Sequence, residues 1–198
     1  MVLAGGISRR LGIDKAEIGA PGESAERVES LTGRAAARLA AVCRTVAVAD
    51  GGRRRLPDLA SVGDGPGAGP AAGILGAARA YPGRTLLVLA CDLPRVPSAL
   101  LAELARSAGC DWALPRWSRG LEPLCALYRP RALAALAARV AAGLLAPHRL
   151  GESAGLVVRF LDGEALADFG PPEDLFINLN TPADLARWHA LEAAGKDG

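Results

Sequence analysis

Three groups of residues in the 198-residue chain have the types and spacing to do chemistry. The opening "MVLAGGISRRLGIDKA" sets Gly5 and Gly6 directly after a short apolar run and follows them with Arg9, Arg10 and Lys15. Glycine pairs allow a sharp turn whose backbone amides stay open to a ligand. Three cations within seven positions then suit a polyanion, of which a nucleoside triphosphate is the commonest small example. Asp92 closes the most hydrophobic run of the chain, "RTLLVLACDLP". A carboxylate there caps the next turn or holds Mg2+, which takes one or two carboxylates together with substrate phosphates. "NLNTP" sets Asn178 and Asn180 on the same side of an extended segment, where uncharged amides donate and accept.

These groups need elements to carry them. Residues 24–41 place Val28, Leu31, Ala35, Leu39 and Val42 at helical spacing, and "TVAVAD" reads as a buried strand ending in Asp50. "DGPGAGPAAGILGAARAYPG" passes from a loop into a helix with Pro70 in its first turn. Helices are expected in "VPSALLAELARSA" and "PRALAALAARVAAGLL", and strands in "RTLLVLAC", "DWALP", "EPLCALY" and "GLVVRFL". A closing helix follows, with Thr181 as N-cap, Pro182 at N1 and Asp184 at N3 as a capping box. Strands alternating with helices predict a three-layer, Rossmann-like α/β fold around a mostly parallel sheet, formed by residues 1–198 as a single domain. Such sheets bind ligands beyond the carboxyl ends of their strands, where the glycine turn and Asp92 both fall. Val2–Ala4 is short for a central strand, which points to a start codon set a few residues late or to an irregular completion.

Composition narrows the alternatives. With 51% hydrophobic and 22% charged residues the chain is globular, and a net charge of +2 without a basic, aromatic-laced stripe argues against nucleic acid. Cys43, Cys91, Cys110 and Cys125 form no CxxC pair and only two histidines exist, which argues against zinc. No leader or membrane-length apolar run is visible, so a cytoplasmic protein is expected. "GRRR" at 52–55 and His148–Arg149 read as solvated loops. "GAGPAA" fits a dinucleotide fingerprint, but "DLASVGDGP" reads as no strand, so that fingerprint is set aside.

Taken together, "LAGGISRRLGIDKA", "GPAAGI", "CDLP", "EPLCALY" and "NLNTPADL" resemble the molybdenum cofactor guanylyltransferases, nucleotidyltransferases whose opening signature this chain matches with Leu11 where methionine is usual. The resemblance spans nearly the whole chain. It implies transfer of GMP from GTP to molybdenum-loaded molybdopterin with Mg2+, releasing pyrophosphate. It implies that Leu3, Ala4, Gly5, Gly6, Lys15, Asp64 and Asp92 bind nucleotide, that Asp92 holds the metal, and that Arg10, Lys15 and Asp92 serve catalysis. Asn178 and Asn180 would face the pterin acceptor, and "RGLEPLCALY" would lie on that side too, with Glu122 either in the site or a charge partner of Arg119. Transient contact with other enzymes of cofactor biosynthesis, or with acceptor enzymes, also follows. Two departures stand out: "EIGAPGESAERVESLTGR" lacks the usual apolar run, and Ala49–Asp50 falls where the family often carries asparagine near the base. The second leaves base choice open, so transfer from CTP, or to a phospholactate or sugar phosphate, is the nearest alternative. A non-catalytic nucleotide sensor on the same fold is the other.

Overall fold

The computed structural model describes residues 1–4 and 30–194. Gly5, Gly6, Arg10 and Lys15, and residues 24–29 of the expected first helix, lie outside the described residues. In chain order the elements are β1 (Val2–Leu3), α1 (Leu31–Ala40), β2 (Ala47–Ala49), β3 (Ala60–Val62), α2 (Pro70–Ala80), β4 (Leu86–Ala90), α3 (Ser98–Arg106) and β5 (Trp112–Trp117). Then come β6 (Gly120–Leu121), β7 (Cys125–Tyr128), α4 (Pro130–Ala141), a 3-10 segment over Pro147–Glu152, β8 (Val158–Leu161), α5 (Gly163–Ala167), α6 (Pro172–Leu175) and α7 (Pro182–Ala194).

The strands form one sheet in the order β3-β2-β1-β4-β7-β5-β6, with β8 pairing β5. β3, β2, β1 and β4 are mutually parallel, with Val2 opposite both Val48 and Leu89. β4 and β5 both run antiparallel to β7, while β5 and β8 are parallel. The antiparallel strand has a simple cause. Only a two-residue hairpin and a few further residues separate β5 from β7, and a parallel neighbour needs a crossover of a dozen or more. Helices α1 and α3 cover one face of the sheet and α2 and α4 the other. β4 is buried at all five positions, as a strand covered on both faces must be.

Local sequence sets the helix ends. The Ser30 hydroxyl caps α1 by accepting from the Gly33 N–H at 3.2 Å. The capping box forms at α7: the Thr181 N–H donates to Asp184 Oδ2 at 2.8 Å, and the Asp184 N–H donates to Thr181 Oγ1 at 3.2 Å. Arg34 and Arg95 both pair with Glu192, tying α7 to the α1 face.

One expectation needs correction. A short strand, β3, does lie within "DLASVGDGP". Its alternation with exposed residues and its length of three hid it. It ends at Val62, and Gly63, Asp64, Gly65 and Pro66 intervene before Gly67, so the tight strand-to-glycine turn of a dinucleotide fingerprint is still not made.

Candidate active site

The carboxyl ends of β1, β2 and β4 converge on a cleft of about 410 Å³. Backbone bonds hold the ends together: the Ala4 N–H donates to Ala49 O at 3.0 Å, and the Cys91 N–H to Leu3 O at 3.0 Å. Leu3, Ala4, Asp64 and Asp92, distant in sequence, line this one cleft. The start of α2 supplies Gly69, Pro70 and Gly73 to the same wall. A Cβ at Gly73 would stand 2.8 Å from Leu3 Cδ2, so the glycine lets the Leu3 side chain lie against α2.

Asp64 is delivered by close backbone packing. The loop from Gly63 to Gly65 lies directly on α2, so a Cβ on Gly76 would collide with the Gly63 carbonyl. The Gly65 N–H also donates to Ala72 O at 2.8 Å. The glycines of "GDGP" and "GILG" therefore fix where Asp64 stands.

Asp92 stands two residues past the end of β4 and is half-buried in the cleft. Its backbone carbonyl accepts from the Leu179 N–H at 3.1 Å, which fastens the "NLNTP" loop to the strand end. Asn178 and Asn180 flank that bond, both exposed, with Asn180 Nδ2 donating to Asn178 Oδ1 at 2.9 Å. They stand beside Asp92 and are absent from the cleft's described lining. Among the described residues no three His, Cys, Asp or Glu side chains gather as a metal cage. A lone strand-end carboxylate fits Mg2+ completed by substrate phosphates, and fits a protein-caged ion poorly.

Beyond Asp92, the indole Nε1–H of Trp117 donates to Glu122 Oε1 at 2.8 Å, and the Arg119 guanidinium sits 5.5 Å from the Trp117 ring centroid. Glu122 and Arg119 are thus joined through Trp117. Phe176 packs on the same ring at 5.8 Å. Burial pushes the Glu122 carboxyl up, the Trp117 bond opposes this, and the nearby Asp92 charge adds to it; the net shift is upward. Arg149 pairs with Glu152 at 2.7 Å in the 3-10 segment, in keeping with a surface loop.

Two residues gained importance that their sequence context concealed. Asp50 has no exposed surface. Its Oδ1 accepts from Ser61 Oγ at 2.6 Å and the Gly52 N–H at 3.1 Å, and its Oδ2 from the Arg55 N–H at 2.9 Å. Burial pushes this carboxyl up, but the bonds from Ser61 and the backbone of Arg55, Gly52 and Arg53 together outweigh it and hold it below the usual range. Arg53, expected in a solvated loop, lines the cleft with Gly51. Its position directly after a parallel strand's carboxyl end was the available signal.

The MobA-like NTP transferase domain model matches residues 1–152. A probable molybdenum cofactor guanylyltransferase from Chloroflexus aggregans is 34% identical over 93% of this chain and 90% of its own length. The crystal structure of molybdopterin-guanine dinucleotide biosynthesis protein A from Archaeoglobus fulgidus superposes with a TM-score of 0.79 at 27% identity, covering 98% of this chain and 97% of that one. A Mycobacterium tuberculosis protein solved as a complex with manganese shares the fold, with a TM-score of 0.62 at 17% identity over 96% of each chain. With the family model covering well over half its length, the chain belongs to the MobA-like NTP transferase family.

Proposed function

We propose that residues 1–198 act as one nucleotidyltransferase unit that transfers GMP from GTP to molybdenum-loaded molybdopterin. One observation carries this reading: the carboxylates of Asp64 and Asp92 and the backbone of Leu3 and Ala4 meet in one cleft at the carboxyl ends of parallel strands. That cleft, in a member of this family, is the natural seat for a nucleotide.

A terminal phosphate oxygen of molybdopterin attacks the α-phosphorus of GTP. The bond from that phosphorus to the bridging oxygen breaks, and pyrophosphate leaves with the electron pair. No covalent enzyme intermediate is needed, because alignment and charge neutralisation suffice. Asp92 is the residue that would hold a divalent ion, for which we infer Mg2+, and that ion would offset charge on the phosphates. Asp64 binds the nucleotide. In this reading the Gly5 and Gly6 amides cradle the triphosphate while Arg10 and Lys15 neutralise it. Asn178 and Asn180 receive the pterin, on the side of Asp92 fastened by the Leu179 bond. The partners are these two small molecules, together with transient contacts to neighbouring enzymes of the cofactor's synthesis or use. A cytoplasmic setting is part of this reading; separately, no helix among the described residues is long and apolar enough to cross a membrane. Incubation with GTP, Mg2+ and molybdate-loaded molybdopterin should release pyrophosphate in step with dinucleotide. Nucleotide binding without pyrophosphate release would instead identify a sensor.

A further inference from the structure

We propose that Arg53 reads the O6/N7 edge of guanine and that Asp50 is the residue that positions it, an inference that rests on the guanylyltransferase reading above. Asp50 belongs to the cleft lining, but its carboxylate is taken up by the protein itself. Both its oxygens are engaged by Ser61, Gly52 and Arg55, and the side chain has no exposed surface. It acts as a latch that folds residues 51–55 back beside β3.

The latched loop has a demanding shape. Gly51 and Gly52 have φ of 67° and 82°, and Arg54, at 53°, is the one non-glycine residue with positive φ among those described. A non-glycine residue persists in that region only where its surroundings impose it. The loop sets the exposed Arg53 on the cleft lining. Asp64 stands alongside, its Oδ2 only 3.5 Å from where a Cβ on Gly51 would lie.

The cleft wall away from Asp92 therefore sets the Asp64 carboxylate against the loop that carries Arg53. An ionised carboxylate only accepts hydrogen bonds and a guanidinium only donates them. Guanine alone among the four bases offers two adjacent donors, N1–H and N2–H2, next to the acceptor pair O6 and N7. Asp64 suits the donors and Arg53 the acceptors, a pairing arginine makes bidentately with guanine elsewhere. Adenine, cytosine and uracil each place a mismatched group against one of the two side chains.

Calorimetric titration with Mg2+ and without acceptor tests this, using GTP, CTP, 7-deaza-GTP (no N7) and ITP (no N2 amine). The intact protein should prefer GTP over both analogues. Arg53→Ala should weaken GTP about tenfold, bring the GTP to 7-deaza-GTP ratio close to one, and leave the ITP penalty unchanged. Arg53→Lys, with the charge but without the fork, should lose most of the same ratio. Asp50→Ala should lose it too, and a ratio kept in that variant would overturn the positioning role of Asp50. Arg53→Ala binding GTP as the intact protein does, or weakening GTP and 7-deaza-GTP equally, would overturn the assignment and in the second case make Arg53 a phosphate contact. If the intact protein bound GTP no better than CTP, the guanine assignment would fail while nucleotide transfer survived. Failure to bind any nucleotide would overturn both readings.

Discussion

At the scale of single residues, the proposed reading divides two aspartates between chemistry and shape. Asp92 stands in the cleft next to the bond that fastens the "NLNTP" loop. Asp92→Asn removes a charge at constant volume, so its thermal unfolding should stay close to that of the parent. Turnover should fall about a hundredfold or more, in line with the loss of one preorganised electrostatic group; near-parental turnover would remove Asp92 from the metal site. Asp50 works differently, because its oxygens meet only donors. Asp50→Asn sets an amide NH2 against a donor and should cost about 1–2 kcal/mol at neutral pH. The sign of its pH dependence follows from its lowered pKa in the folded protein. The stabilisation is fully present above the ordinary aspartate value, about 3.9, and is lost as pH falls through the lower folded value. Urea unfolding at pH 7 and pH 3 should therefore show a parent–variant gap that narrows in acid. A gap of constant size would mean that the latch does not depend on the charge.

At the scale of elements, the strands and helices with strong periodicity were legible in the sequence, and their partners in space were less so. β4 and α2 read clearly because a continuous apolar run and a proline-started helix each have one reading. The capping box of α7 was legible because Thr181, Pro182 and Asp184 act within one turn. β3 was hidden because it is three residues long and only Val62 among them is buried. The latch of Asp50 was hidden for another reason: its bond to Ser61 joins the end of β2 to the middle of β3, and no local spacing reports such a pairing. Close packing between the Gly63–Gly65 loop and α2 is equally non-local, and it has a test. Gly76→Ala drives a methyl into the Gly63 carbonyl, so the loop carrying Asp64 must shift. The expected result is a loss of about 3 kcal/mol, at the upper end of the usual range for single substitutions, together with weakened GTP binding. A variant with parental stability and parental GTP affinity would show that Asp64 is not placed by this contact.

At the scale of the whole molecule, the sheet has two halves with different assignments. The parallel half, β3-β2-β1-β4, brings Leu3, Ala4, Asp50, Arg53, Asp64 and Asp92 to one end, where nucleotides are bound in open α/β sheets. The half with the antiparallel strand, β7-β5-β6 with β8, carries Trp117, Arg119 and Glu122, and the loop of Phe176 to Asn180 packs beside it. β4 joins the halves, and Asp92 at its end lies between them. In the proposed reading the α-phosphorus lies near Asp92, the base toward Arg53 and the acceptor toward Asn178 and Asn180. GTP labelled in parallel reactions at the α- or the γ-phosphate, incubated with Mg2+ and molybdenum-loaded molybdopterin, follows that arrangement most directly. The α-label should appear in the pterin dinucleotide and the γ-label entirely in pyrophosphate. Label from the γ-position on the pterin product, or no labelled dinucleotide while GTP stays bound, would contradict nucleotidyl transfer at Asp92.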